Sequence, residues 1–174
     1  MNQLNAPLNE AEIRQAVAVV RRDAGLDPSA WFETISLDES GRYPATRGAY
    51  VCCYEPSSNR TLSGIVVFDS DSLHDWQHVE GAQARIVPDE FMIACELARE
   101  HPGFLQALAK RGIDDASRVL IESWSAGNFG NPEEQSRRIA YGHCWLMNDA
   151  GDNPYARPIG NLHPVFDLAT REII

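Results

Sequence analysis

Twice along 174 residues, a helical repeat of apolar side chains gives way to runs with strand-like alternation. That ordering limits the fold more than any single residue does. The first repeat begins near Asn9, a suitable N-cap, with Glu12 three residues on as in a capping box and Leu8 able to staple onto Ile13. Ile13, Ala16, Val17 and Val20 recur on one helical face, while Arg14, Arg21 and Arg22 fall mostly elsewhere. Gly25 follows as a stop. The spacing predicts an amphipathic helix that needs a surface to lie on.

The next segments supply that surface. Residues 31–37 alternate, with Trp31, Glu33, Ile35 and Leu37 expected on one side and Phe32, Thr34 and Ser36 on the other. A polar stretch at 38–47 separates them from the apolar run 49–54; 55–60 reads as a turn, 61–68 as a third strand, and 73–79 as a fourth after the turn-rich DSDS at 69–72. The pattern then restarts. Pro88 and Asp89 open a helix with Phe91, Ile93, Ala94, Leu97 and Ala98 at helical spacing. His101, Pro102 and Gly103 interrupt it, and Phe104, Leu105, Leu108 and Ala109 carry a second short helix towards Gly112. Strand-like runs follow at 119–124, 138–147, 165–168 and 172–174, separated by loops rich in Gly, Asn and Pro. Helix then strands, two times over, predicts an α+β chain of two small domains, 1–84 and 85–174, with the boundary between Gly81 and Pro88. No repeat in the sequence itself accompanies this repeat of pattern.

Composition narrows the range of functions. The formal net charge of −10 repels phosphate backbones, which argues against a nucleic-acid partner and is compatible with cationic small molecules. Four Trp, five Tyr and six Phe within 44% hydrophobic residues are enough to anchor a core. No run of about 18 apolar residues exists, so no membrane span is expected. The first ten residues are polar and carry no signal-peptide pattern. Cys52 and Cys53 are adjacent in a strand and so face opposite ways; Cys95 falls in a helix, Cys144 in a strand, and no CxxC occurs. Reduced, buried thiols in a cytoplasmic protein are the expectation.

The familiar catalytic patterns are absent. There is no GxGxxG, GxxxxGK[ST] or GxSxG. HDWQH at 74–78 superficially resembles the HExxH zinc motif, but Asp replaces the Glu and the setting is a strand, which would not bring His74 and His78 together as a helix does. His143 and Cys144 point to opposite faces of their strand. His101 and His163 stand beside prolines at element edges, and Asp114–Asp115 suits a cap for the following turn better than a catalytic pair.

Three stretches of the second half are distinctive: ALAKRGIDD (107–115), IESWSAGNFG (121–130) and GDNPYARPIGNLHPVFDL (151–168). In this order and at these separations they closely resemble the third N-terminal domain of copper- and topaquinone-dependent primary-amine oxidases. NAPLNEAEIRQAV, at 5–17, is similar in a weaker way to the domain before it. The resemblance implies two cystatin-like domains, each a helix packed on an antiparallel sheet of about four strands. It implies a parent enzyme, homodimeric and dependent on copper and topaquinone, that converts a primary amine, oxygen and water to aldehyde, ammonia and hydrogen peroxide.

In that family the chemistry resides in a large β-sandwich domain that follows on the same polypeptide. Its quinone-forming Tyr sits in an Asn-Tyr-[Asp/Glu] setting, and two of its copper ligands form His-x-His; this chain has neither Asn-Tyr nor His-x-His. No catalytic, cofactor-binding or metal-ligating residue is therefore expected in it. It closes on Glu172-Ile173-Ile174 as a last strand begins, as a piece of a longer protein would. The third domain of the family helps form the mouth of the substrate channel, and by position Phe91, Trp124 and Tyr155 would face it. For Phe91 and Trp124 core packing is the competing expectation; Tyr155 lies in a polar loop. The alternative for the whole chain is a free-standing binding or interaction module derived from these domains.

Overall fold

The computed structural model describes residues 5–127, 129–149 and 151–174. The chain divides into two compact units, one up to Ala84 and one from Arg85. In the first, α1 (Glu10–Asp23) is followed by β1 (Trp31–Leu37), β2 (Gly48–Glu55), β3 (Arg60–Val67) and β4 (Ser72–His78), which pair antiparallel in the order β1-β2-β3-β4. The helix starts on a reciprocal cap. Asn9 Oδ1 accepts from the Glu12 amide at 3.0 Å, and Glu12 Oε2 accepts from the Asn9 amide at 2.8 Å. Arg47, just before β2, holds the same carboxylate at 2.5 and 2.9 Å and donates to the carbonyls of Ala6 and Pro7. This guanidinium, helped by the Asn9 amide, keeps the Glu12 carboxyl at about 2.

The core of this unit packs Ala16, Val19 and Val20 of α1 against Ala49, Val51, Cys53, Leu62 and Val66. The buried stripe of α1 is thus turned from the predicted one. Ile13 is 39% exposed, because at 100° per residue it lies roughly 70° round the axis from the centre of that stripe. A second difference has a clear cause. In β1, Phe32 pairs with Cys53 and Thr34 with Cys52, so Glu33 is an extra residue, a β-bulge. The bulge resets the alternation. Phe32 and Ile35, three apart, both join the core against α1, while Trp31 is placed on the other face against Tyr54, with ring centroids 5.6 Å apart. Strand β4 repeats the device: its register slips opposite Gly64, with Asp75 at φ +52°, and Leu73 and Trp76 both reach the core. Gly64 is required there, since a Cβ would stand 2.8 Å from the His74 carbonyl oxygen.

The second unit begins with α2 (Pro88–Glu100) and α3 (Pro102–Ala109), followed by β5 (Val119–Ser125), β6 (Ile139–Leu146), β7 (Val165–Asp167) and β8 (Glu172–Ile173). These strands also form an antiparallel sheet, in chain order. His101 ends α2 in extended backbone, and its Nδ1 accepts from the Phe104 amide at 3.3 Å to start α3. Asp115 caps the short 3-10 turn Ala116–Arg118, accepting from the Ser117 amide at 2.9 Å.

Ala94, Ala98, Phe104 and Leu108 of the helices pack on Val119, Ile121, Ala140, Cys144 and Phe166 of the sheet. One buried ion pair crosses this layer. Arg138, directly before β6, grips both oxygens of Glu90 in the first turn of α2 at 2.5 and 2.6 Å, with both side chains about 2% exposed. Glu90 also accepts from the Val87 amide and Arg138 donates to the Arg85 carbonyl. The architecture is α+β throughout, a helical layer on one face of each four-stranded sheet. No described helix is long and apolar enough to cross a membrane.

Candidate functional site

Because α2 and α3 cover one face of the second sheet, the alternation of its strands decides what the other face presents. On β5, Val119, Ile121 and Ser123 are buried on the helix side, so Leu120, Glu122 and Trp124 face outward. On β6, Ala140, Gly142 and Cys144 point inward, leaving Tyr141, His143 and Trp145 outward. The register sets Glu122 directly opposite His143, Trp124 opposite Tyr141 and Leu120 opposite Trp145. Gly142 cannot be larger: a Cβ there would meet Pro164 Cγ at 2.6 Å and Phe166 Cε2 at 2.9 Å.

The outward side chains form a connected patch. His143 lies 4.7 Å from Trp124, 6.1 Å from Trp145 and 5.4 Å from His163, measured between ring centroids. Trp145 meets Tyr155 edge-on at 5.3 Å. Tyr155 comes from the loop after β6, and backbone pairing explains its arrival. The Leu146 amide donates to the Arg157 carbonyl, the Ile159 amide to the Cys144 carbonyl, and Trp145 bridges to Pro158. This returning segment lies along β6 and carries Tyr155 over the outer face. An Asx turn, with the Tyr155 amide donating to Asn153 Oδ1 at 3.0 Å, fixes its approach.

Glu122 is the polar centre of the patch. The Tyr155 hydroxyl donates to its Oε1 in a short hydrogen bond, and the Trp124 indole N–H donates to its Oε2 at 3.4 Å. The adjacent carboxylate raises the Tyr155 phenol above its ordinary range, through the hydrogen bond first and the charge second. Tyr141, donating to Glu134 at 2.8 Å, is raised too, through that hydrogen bond first and burial second. Among the described residues no Lys or Arg forms an ion pair with Glu122.

The three residues expected from sequence divide. Trp124 and Tyr155, 57% and 51% exposed, converge on Glu122. Phe91, 37% exposed, lies on α2, in the helical layer on the opposite side of the sheet. Sequence reasoning passed over Glu122, Trp145 and His163 as members of one surface. The alternation in IESW already places Glu122 beside Trp124, whereas His163 and Tyr155 reach the patch from a loop whose path no local pattern encodes. His74 and His78 lie on β4, where His74 Nε2 is 2.8 Å from Ser72 Oγ. Among the described residues no group of three or more His, Cys, Asp or Glu side chains is placed to hold a metal ion.

A helical layer on one side of a four-stranded antiparallel sheet, with an open aromatic face on the other, defines the class of the second unit. Its family follows from comparison: residues 89–174 match the model of the copper amine oxidase N3 domain. The chain is 28% identical over 175 residues to a primary amine oxidase of Arthrobacter sp. (strain P1), across 97% of this chain and 27% of the relative. It is 27% identical over 182 residues to a primary amine oxidase of Klebsiella aerogenes, across 96% of this chain and 24% of that protein. In fold it is similar to the crystal structure of a copper-containing benzylamine oxidase from Hansenula polymorpha, with a TM-score of 0.72 and 17% identity over 98% of this chain and 29% of that one. Residues 89–174 thus match the copper amine oxidase N3 domain, and the chain as a whole is similar to the N-terminal region of copper-containing primary-amine oxidases. It spans about a quarter of the length of these curated relatives.

Proposed function

We propose that this chain is a non-catalytic N-terminal region of a primary-amine oxidase, and that the outer face of its second sheet forms part of the wall at the mouth of the substrate channel. The convergence of Trp124 and Tyr155 on one open face carries this reading. The larger protein would deaminate a primary amine to an aldehyde, releasing ammonia and hydrogen peroxide. Copper and topaquinone would be held by a catalytic domain on the same polypeptide, within a homodimer. What the two units contribute is shape and surface: a rigid sheet that presents aromatic rings to an approaching amine. Phe91 would then act elsewhere on the domain, since the sheet separates it from Trp124 and Tyr155.

The test uses the full-length protein containing this sequence. Peroxide release with primary amines, and a rise in KM of about threefold or more with little change in kcat in the Trp124→Ala and Tyr155→Ala proteins, is the expected result. A full-length protein without a quinone-forming tyrosine, or variants with unchanged kinetics, would overturn it.

A further inference from the structure

We propose that Glu122 makes this face a site for organic ammonium ions, acting as the residue that selects cationic from neutral ligands. The inference deepens the channel-wall reading and depends on it for its biological meaning. Three observations carry it. First, Glu122 is half-buried on a sheet face, and among the described residues no Lys or Arg is paired with it. A carboxylate taken partly out of water without a countercharge retains much of its capacity to attract one. Second, its two hydrogen-bond donors are the neutral groups of Tyr155 and Trp124, which orient the carboxylate without cancelling its charge. Third, the surrounding side chains are π systems. Trp124 and Tyr155 are more than half exposed, and Trp145 meets Tyr155 edge-on, so a cation seated on Glu122 would lie against aromatic rings.

Among the described residues, the imidazoles of His143 and His163, the phenols of Tyr141 and Tyr155 and the Glu134 carboxylate lie on or beside this patch. His143 stands directly opposite on β6, His163 lies behind it, and the Tyr141 phenol is tied to Glu134.

The probe is benzylammonium, with benzyl alcohol as its neutral counterpart, titrated into the 174-residue chain and followed by the indole N–H signals of Trp124 and Trp145 in proton–nitrogen correlation spectra. Benzylammonium is expected to shift them saturably, benzyl alcohol at least tenfold more weakly, and Glu122→Gln to weaken benzylammonium by at least tenfold in a spectrum that stays dispersed. Equal affinity for the alcohol, an undiminished response in Glu122→Gln, or no saturable shift in the wild-type chain would overturn the proposal. Should Glu122→Gln fail to fold, the comparison of the two ligands on the wild-type chain decides alone. The outcomes separate from those of the channel reading. Unchanged kinetics in the Trp124 and Tyr155 variants of the full-length protein, with cation binding intact in the chain, would sink the channel role and leave the site; the reverse pattern would sink the site alone.

Discussion

Tyr155 and Glu12 show how single carboxylate contacts set behaviour at the residue scale. The Tyr155 phenol is raised because ionising it would place a second negative charge against Glu122 and forfeit the donated hydrogen bond. Replacing Glu122 with Gln should therefore move one tyrosine to lower pH in an ultraviolet or NMR titration, and no such movement would show that the contact does not persist in solution. For Glu12 the sign runs the other way. Its folded value of about 2 lies below the ordinary 4.5, so the folded state binds the proton less well than the unfolded chain. The stability that Glu12 contributes is fully present above about pH 4.5 and is lost as pH falls from there towards 2. Melting temperature followed by circular dichroism should drop less steeply over that window in Glu12→Gln than in the wild type. Parallel acid limbs would refute the assignment. The Asn9–Glu12 cap was legible in the sequence because it is local; Arg47, 35 residues away, was not.

At the scale of elements, the joint between α2 and β6 is the feature with the largest expected energy. Arg138 and Glu90 are both buried, so removing one partner strands a charge in the interior. Arg138→Ala or Glu90→Ala should cost about 3–5 kcal/mol in chemical denaturation, against much less for a matched apolar replacement of both. A loss below about 1 kcal/mol in the single variants would mean that the pair is not desolvated in solution. Gly142→Ala should destabilise by about 1–3 kcal/mol, because its methyl would enter space held by Pro164 and Phe166. Nothing in local periodicity flagged either feature. Glu90 reads as an ordinary first-turn acid, and the partner that buries it lies 48 residues on. The strands, in contrast, were legible to within a residue or two. What was lost within them was the facing of β1, because a one-residue bulge at Glu33 reverses alternation without altering strand propensity.

For the whole molecule, the repeat of helix and strands in the sequence corresponds to two units that each own a core: Ala16, Val19 and Val20 on the first sheet, and Ala94, Ala98, Phe104 and Leu108 on the second. Residues 85–174 expressed alone should therefore give a dispersed spectrum and a single cooperative unfolding transition. A molten or aggregated product would show that the second core needs the first unit. The site was only partly legible at this scale. Trp124 and Tyr155 stood out by resemblance, but the aromatic surface they share with Glu122, His143 and Trp145 exists only once β5, β6 and the returning loop are assembled.

The bulges of the first sheet have a further consequence. Its outer strands are β1 and β4, and each is broken, β1 at Glu33 and β4 beside Asp75. An unbroken outer strand offers evenly spaced amides and carbonyls on which any extended peptide can template itself. Here the spacing is interrupted at both margins, so a passing strand from another molecule would find only a few residues of matching register before losing it. The same two insertions that bring Phe32 with Ile35 and Leu73 with Trp76 into the core thereby leave the first sheet with poorly templating margins.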